Sequence, residues 1–368
     1  MQFAQIQTIP EVVNVLKILV TGLAAFILAF AITPLWTHLL YKYKIGIKIK
    51  STDVNGEQLN FVNKLHAVKA GTPTMGGVII WLPIIILAFA SHFLFPLLAN
   101  LFGIDFIARL DFLSRKQVWL PLFALAAAGI LGLFDDVMSV RGWGKNKGGG
   151  MRFAMRFGWL IAIASAGGWW FFYKLGWDVL HIPAIGDFSI GFWYIPLFIF
   201  VILFAAVSSN ETDGLDGLNG GVLLFAFFSF AIIAFFENKI DLASFCSAAA
   251  GAMLAFLWFN VYPARFFMGD TGAVSLGATL GVVAMLTNSA AVLFIIVFFY
   301  VLESGSVAIQ LTSKKFFHRK IFLAAPLHHH FEAKGWPETK VTMRAWIFTM
   351  ITALIGVVVA IFGMGRHQ

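Results

Sequence analysis

The 368-residue chain is 60% hydrophobic and 12% charged, whereas soluble domains are usually about 45–50% apolar and about 25% charged. That excludes an ordinary water-soluble enzyme and a disordered chain. The single cysteine, Cys246, excludes intrachain disulfides and any cysteine-based metal cluster, and the formal net charge of +8 points to anionic lipid headgroups and anionic substrates.

A helix needs about 20 mostly apolar residues to cross the hydrocarbon core of a bilayer. Along the chain, segments 18–40, 77–98, 117–134, 153–173, 192–207, 220–236, 242–259, 273–286, 290–311 and 342–363 are read as such helices. The segment at 192–207 is short, and 273–286 is weakly apolar and Gly-rich. Residues 1–17 carry no basic n-region and no cleavage-like site follows the first apolar run, so that run is expected to stay as a helix. The predicted fold is all-α: a polytopic integral membrane protein of about ten transmembrane helices, forming a single domain over 1–368.

The loops after the odd-numbered segments hold Lys42, Lys44, Lys48, Lys50, Lys64, Lys69, Arg141, Lys145, Lys147, Arg152, Arg265, Lys314, Lys315, Arg319, Lys320, Lys334 and Lys340. The opposite set, with both termini, holds only Lys17, Arg109, Arg115, Lys116, Lys174, Lys239 and Arg366. Lys and Arg accumulate on the cytoplasmic side. Both termini are therefore expected outside, with the cation-rich loops in the cytoplasm.

Those same loops carry the unusual polar residues. Lys69-Ala70-Gly71-Thr72-Pro73-Thr74-Met75-Gly76-Gly77 leads into the second segment; Gly and Pro alone explain a turn there, but Lys69 and Thr74 are also suited to a phosphate. The third segment ends in Asp135 and Asp136. Acids oppose the macrodipole at a helix C-terminus, so a cation or a proton-handling role accounts for the pair better than a solvated helix end. Next come Asn210, Glu211, Asp213, Asp216 and Asn219, with glycines between them. Helix capping needs one acid; three without an intervening cation exceed it. Asn260, Phe267 and Asp270 follow, Asp270 lying where either a helix cap or a ligand would stand. His328, His329 and His330 are consecutive, and neighbouring residues on a helix diverge by about 100°. A phosphate or a nucleotide edge is therefore a better partner for them than one metal ion. The remaining histidines show no partner spacing.

Clustered carboxylates without thiolates suit Mg²⁺, which is typically held by one or two carboxylates plus substrate phosphates. Basic loops beside them suit a polyphosphate, and the bilayer supplies a lipid co-substrate. The reading is phosphoryl chemistry at a membrane surface. No P-loop or G-x-G-x-x-G follows a strand, and no nucleic-acid partner is expected.

At these residues the sequence resembles the phospho-N-acetylmuramoyl-pentapeptide transferase family, within the polyprenyl-phosphate N-acetylhexosamine-1-phosphate transferases. The similarity covers Lys69 to Gly77, Asp135-Asp136, Asn210-x-Thr212-Asp213-Gly214-Leu215-Asp216-Gly217-Leu218, Pro263 to Asp270, Glu303-x-x-Ser306-Val307-x-x-Gln310 and Pro326 to Glu338. The resemblance implies ten spans in a bacterial inner membrane, a homodimer, and Mg²⁺-dependent transfer from UDP-N-acetylmuramoyl-pentapeptide to undecaprenyl phosphate, giving lipid I and UMP. It further implies that Asp135 orients or deprotonates the lipid phosphate and that Asp270 holds Mg²⁺ with Asp136 nearby. Lys69, Asp216, Asn219 and Phe267 then serve the uridine side, and His328, His329 and His330 the diphosphate and sugar. Asn210, Asp213, Asn260 and Thr74 complete the substrate-binding set.

Two positions depart from the family. Ser139 stands where Asp-Asp-x-x-Lys usually has lysine, leaving Arg141, Lys145 or Lys147 to replace it. Glu211 stands where an apolar residue is usual. Two other readings compete: a sister enzyme moving N-acetylglucosamine-1-phosphate, and a cation-coupled transporter. A transporter predicts acids at mid-membrane depth, a pattern only Glu303 approaches.

Overall fold

Each of the ten apolar segments is helical in the computed structural model, which describes residues 10–43, 45–46, 69, 71–113, 116–144 and 149–364. Apart from a single turn at Asp105–Arg109, the α-helices are α1 (Pro10–Lys42), α2 (Val78–Phe102, containing one π-helical stretch at Ala90–Leu94), α3 (Lys116–Arg141), α4 (Phe153–Leu175), α5 (Tyr194–Thr212), α6 (Leu218–Phe236), α7 (Ile240–Asn260), α8 (Asp270–Leu286), α9 (Ala290–Ile296), α10 (Phe298–Phe317), α11 (Leu327–Ala333) and α12 (Glu338–Met364). Several expected cations, Lys44, Lys48, Lys50, Lys64, Arg115, Lys145, Lys147 and Arg366, lie outside the described residues.

Among the described residues, seven helices are long and apolar enough to cross a membrane, or eight if α9 and α10 count as one span. The ninth apolar segment is thus not a straight rod: its halves meet at 83°, because Val297 leaves helical geometry at φ −102° and ψ 40°. The short eighth segment becomes α8, whose 17 residues span about 25 Å at 1.5 Å each. Its mixed composition is explained by position. Every residue from Thr271 to Leu286 is buried, with α3 on one side and α5 on the other. A helix enclosed by protein needs no lipid-facing stripe. The small residues Gly272, Ala273, Gly277, Ala278 and Gly281 let neighbouring backbones approach it.

The helix ends sort to two faces. On one, Lys17 of α1 donates to Asp241 at the start of α7 and to the Asp111 carbonyl, each at 2.6 Å. The α4–α5 connection adds a two-stranded antiparallel hairpin, β1 (Val179–Ile182) and β2 (Gly186–Ser189), with Val179 opposite Ser189. The His181 amide of this hairpin donates to Asn288 after α8. On the other face meet the C-terminal ends of α3, α5, α7 and α10 and the N-terminal ends of α2, α6, α8 and α12. Alternation of direction along the chain therefore delivers all the polar loops singled out above to one side.

Candidate functional site

The site is built around the first turn of α8. Gly269 precedes it at φ +74°, and a Cβ there would stand 2.6 Å from Asp136 Oδ2 and 2.7 Å from Thr74 Oγ1. Only glycine combines that backbone conformation with that proximity. Asp136 uses both oxygens on α8: Oδ1 accepts from the Asp270 amide at 3.2 Å and Oδ2 from the Thr271 amide at 3.0 Å. Two orphan amides of a helix N-terminus are satisfied by an acid that complements the macrodipole. Thr271 in turn donates to the Gly129 carbonyl and accepts from Trp81 Nε1, so α3, α8 and α2 are fixed together beneath the carboxylates.

Asp270 then faces Asp135 across Arg156. The Arg156 guanidinium contacts Asp270 Oδ2 and lies 3.2 Å from Asp135 Oδ2. Asp270 Oδ1 accepts from Asn210 Nδ2 at 2.5 Å, and Asp135 Oδ1 accepts from the Met151 amide at 2.5 Å. This answers the Ser139 departure. Arg141 stacks on Trp143, 4.7 Å from its centroid, and Lys145 and Lys147 lie outside the described residues. Among the described residues, the cation beside Asp135 is Arg156 of α4. Ser139 accommodates the Gly-rich turn: at Gly150 (φ +87°) a Cβ would meet Ser139 Oγ at 2.9 Å and Asp135 Oδ1 at 3.1 Å. That close passage is what presents the Met151 amide to Asp135.

A second cluster forms around Lys69. Its ammonium donates to Asp216 Oδ1 at 2.6 Å and to Glu338 Oε1 at 2.5 Å, and sits 5.7 Å from the Phe267 ring centroid. Asp216 Oδ2 accepts from the Ala264 amide, and Asn260 accepts from Gly217 and donates to the Phe266 carbonyl. The two clusters are joined by backbone. Gly76 and Gly77 donate to the Phe267 and Met268 carbonyls, both at 2.8 Å, and Phe267 donates back to Pro73. Asp213 lies between them. Burial, reinforced by the Asp270 charge, pushes its carboxyl up to about 7, partly offset by the Gly269 amide and by Lys69.

The three histidines occupy α11 and take three different partners. His328 is 1% exposed. Its amide donates to Glu303 Oε1 at 3.1 Å and its Nδ1 lies 2.9 Å from Glu303 Oε2. Its Nε2 is buried without a hydrogen-bond partner among the described residues and aims at Gly214, where a Cβ would sit 2.4 Å away. His329 Nδ1 pairs with Glu332 at 2.7 Å, and His330 Nδ1 accepts from the Leu323 amide at 3.1 Å. Asn219 is fully buried and bonded to Ser209, Tyr300 and Met268. Thr74 is buried against Gly269. Glu211 accepts from Ser304 at 2.5 Å and lines a cleft of about 210 Å³ with Arg156, Asn210, Phe153, Phe157, Leu160, Ala206, Val207 and Val274.

Arg156 is a site residue absent from the sequence reading, and Glu338, though it closes the matched Pro326 to Glu338 stretch, was given no role there. Arg156 carried a signal: an ionisable residue inside an apolar segment marks function by default. Glu338 carried none, because its partner Lys69 is 269 positions away.

Among the described residues, no group of three or more His, Cys, Asp or Glu side chains is arranged to hold a metal ion. The donor set still fits a cation bound by one or two carboxylates and completed by phosphates. Asp270 and Asp135 are hard oxygen donors converging on the position the Arg156 guanidinium fills, and Asp136 oxygens that accept one amide each retain a lone pair.

The model of Glycosyl transferase family 4 matches residues 118–288, and the Phospho-N-acetylmuramoyl-pentapeptide-transferase signature 1 matches residues 69–80, the stretch that joins Lys69 to Gly77. A phospho-N-acetylmuramoyl-pentapeptide-transferase of Chloroflexus aggregans is 34% identical over 366 residues, covering 96% of this chain and 92% of the relative. One from Bartonella quintana is 37% identical over 309 residues (79% and 80%), and one from Clostridium novyi 33% over 336 residues (91% and 94%). With near-complete coverage at that identity, and with the matched signature forming one wall of the acidic site, the chain belongs to the phospho-N-acetylmuramoyl-pentapeptide-transferase family.

Proposed function

We propose that this chain transfers phospho-N-acetylmuramoyl-pentapeptide from its UDP-linked donor to undecaprenyl phosphate, giving lipid I and UMP for peptidoglycan synthesis. The observation that carries the reading is the joining of an acidic centre to an amphiphilic cleft. Asp135, Asp270, Arg156 and Asn210 stand where α3, α4, α5 and α8 meet, and the cleft beside them is polar at Arg156, Asn210 and Glu211, the last engaged by Ser304, and apolar along Phe153, Phe157 and Leu160. A lipid phosphate is an anion on a hydrocarbon chain, and this cleft is a cation on an apolar wall.

In the proposed reaction an oxygen of the lipid phosphate attacks the sugar-linked phosphorus of the donor. The new P–O bond forms as the bond to the UMP phosphate breaks, in line. Arg156 and Asn210 hold the attacking phosphate, and Asp135 orients it by fixing Arg156. Lys69, Asp216 and Phe267, braced by Glu338 and Asn260, receive the nucleotide, with Phe267 offering its ring to the base. Asp213 stands between the two ends, and His328, held by Glu303, turns Nε2 towards Gly214 on the donor side; His329 and His330 border the sugar-diphosphate approach. Asp270, supported by Asp136, would hold Mg²⁺, which when bound supplies charge neutralisation at the transferring phosphoryl group. The protein works as a homodimer spanning the bacterial inner membrane ten times, α4 and α8 included, with both termini outside and the acidic face in the cytoplasm. The excess of Lys and Arg on that face supports the orientation.

The test is UMP release by the purified protein with undecaprenyl phosphate, offering UDP-N-acetylmuramoyl-pentapeptide or UDP-N-acetylglucosamine, with Mg²⁺ and with a chelator. Release from the muramoyl-pentapeptide donor that stops without Mg²⁺ is expected. Release from the N-acetylglucosamine donor alone would overturn the substrate assignment.

A further inference from the structure

Away from the acidic centre, the cytoplasmic-side ends of α1 and α7 enclose a cavity of about 330 Å³ lined by Thr37, His38, Tyr41, Phe259 and Arg265, with Thr33 and Pro34 at its back. The two helices run in parallel: Lys17 meets Asp241 at one end, Ser247 donates to the Ile18 carbonyl further along, and Tyr41 donates to the Arg265 carbonyl at the other. The cavity therefore lies where both helices leave the apolar layer.

Its chemistry is one-sided. No acid lines it. Arg265 is exposed, rests 5.6 Å from the Phe259 ring centroid and has no acidic partner among the described residues. Among the described residues Thr37 Oγ1 is buried with no hydrogen-bond partner, a donor left for an occupant to satisfy. The Ala264 amide belongs to Asp216, but the Arg265 side chain turns from that site to Phe259. Towards the bilayer the cavity continues into an aromatic column. Phe30 lies 5.2 Å from Phe259, 6.3 Å from Trp258 and 5.8 Å from Phe26 between centroids, and Trp258 is 69% exposed.

We propose that the α1–α7 cavity binds the phosphate headgroup of an anionic phospholipid through Arg265 and Thr37, with the lipid's acyl chains along the Phe26, Phe30 and Trp258 column. A guanidinium and a hydroxyl donor match phosphate oxygens. The aromatic column selects a lipid over a free anion, since inorganic phosphate would leave it unused. The site is separate from the reacting centre and holds a resident lipid rather than the co-substrate.

The full chain, delipidated in neutral detergent, is titrated with phosphatidylglycerol, phosphatidylcholine or inorganic phosphate. Bound lipid is counted by native mass spectrometry and the thermal midpoint is followed in parallel. Phosphatidylglycerol binds and raises the midpoint, and the other two do so far less. Arg265→Gln weakens phosphatidylglycerol binding about tenfold, the size expected for losing a charge-assisted hydrogen bond to phosphate. Thr37→Val, nearly isosteric, weakens it several-fold in the same direction. Lys315→Gln, an exposed cation on the same face, leaves it unchanged. The proposal is overturned if Arg265→Gln and Thr37→Val bind as the parent does, if Lys315→Gln loses as much as Arg265→Gln, or if phosphatidylcholine or inorganic phosphate stabilises equally.

Discussion

Arg156→Gln isolates the one cation among the described residues that touches both Asp135 and Asp270. The guanidinium is 21% exposed at its side chain, and Asp135 and Asp270 are 8% and 23% exposed. An exposed ion pair contributes about 0–1 kcal/mol, whereas removing one member of a buried pair costs about 3–5 kcal/mol because a charge is stranded. With most of each group covered, and with two carboxylates left facing each other, a cost of about 3 kcal/mol follows. Where the same guanidinium holds the attacking phosphate, the loss of a preorganised charged donor lowers kcat/KM by roughly 10²–10³-fold. UMP release measures that loss, and a cycle with Asp135→Asn measures the coupling, expected at about 1–3 kcal/mol. Mn²⁺ binding in the absence of substrate moves the opposite way. Arg156 competes with a divalent cation for the Asp135 and Asp270 oxygens, so the variant binds Mn²⁺ more tightly while turning over more slowly. Turnover near that of the parent together with unchanged Mn²⁺ affinity would refute the assignment of Arg156 as both phosphate ligand and resident counter-ion.

Asp270→Asn keeps an oxygen for Arg156 and remains a helix-start residue, so the protein should stay folded in detergent while Mg²⁺-dependent UMP release falls at least 10³-fold; near-normal release would remove Asp270 from the metal site. Asp213 sets a pH dependence. Its folded value of about 7 lies above the ordinary 3.8, so ionising it costs stability: nothing below about pH 4, increasingly up to pH 7, and fully above. Three units correspond to about 4 kcal/mol, reduced to roughly 2 by solvent screening at a residue that is not wholly enclosed. Asp213→Asn should therefore match the parent at pH 4 and gain thermal stability over it at pH 8, in chelator; a pH-independent difference would contradict this. Glu303→Gln places an amide NH₂ or a single acceptor opposite His328 Nδ1, which disturbs the tautomer that leaves Nε2 as an acceptor. A fall of about 10–100-fold in kcat is expected, with a displaced pH–rate profile and partial recovery in Glu303→Asp. An unmoved profile would reduce the pair to packing.

The existence and order of the helices were legible in the residue order because the bilayer imposes them locally: about 20 apolar residues satisfy every backbone group within one segment. Their limits were not: α1 begins at Pro10, and α3 runs on to Arg141, so Asp135 and Asp136 lie inside the helix and not at its C-terminal end as expected. The charge asymmetry between loops was equally local, as were the acids Asp135, Asp136, Asp213, Asp216 and Asp270, which stand out against an apolar background. Two features of the helices themselves were not. The 83° break at Val297 has no proline or glycine beside it, and α8 looked weak because its hydropathy reflects a protein-enclosed environment rather than lipid.

The identity of the partners belongs to the tertiary structure. The lysine missing at Ser139 directs attention along the chain to Arg141, Lys145 and Lys147, yet the cation arrives from α4 through helix packing, and Gly150 makes room for the turn that brings α4 back. Lys69 meets Glu338 across nearly the whole chain, and three adjacent histidines separate onto three partners because α11 is helical. Residue order supplied the charges and the apolar lengths, each a local transfer energy. Which charge neutralises which is settled only when distant helix ends are packed at one face, where removal from water makes every unpaired ion costly and so selects a single arrangement.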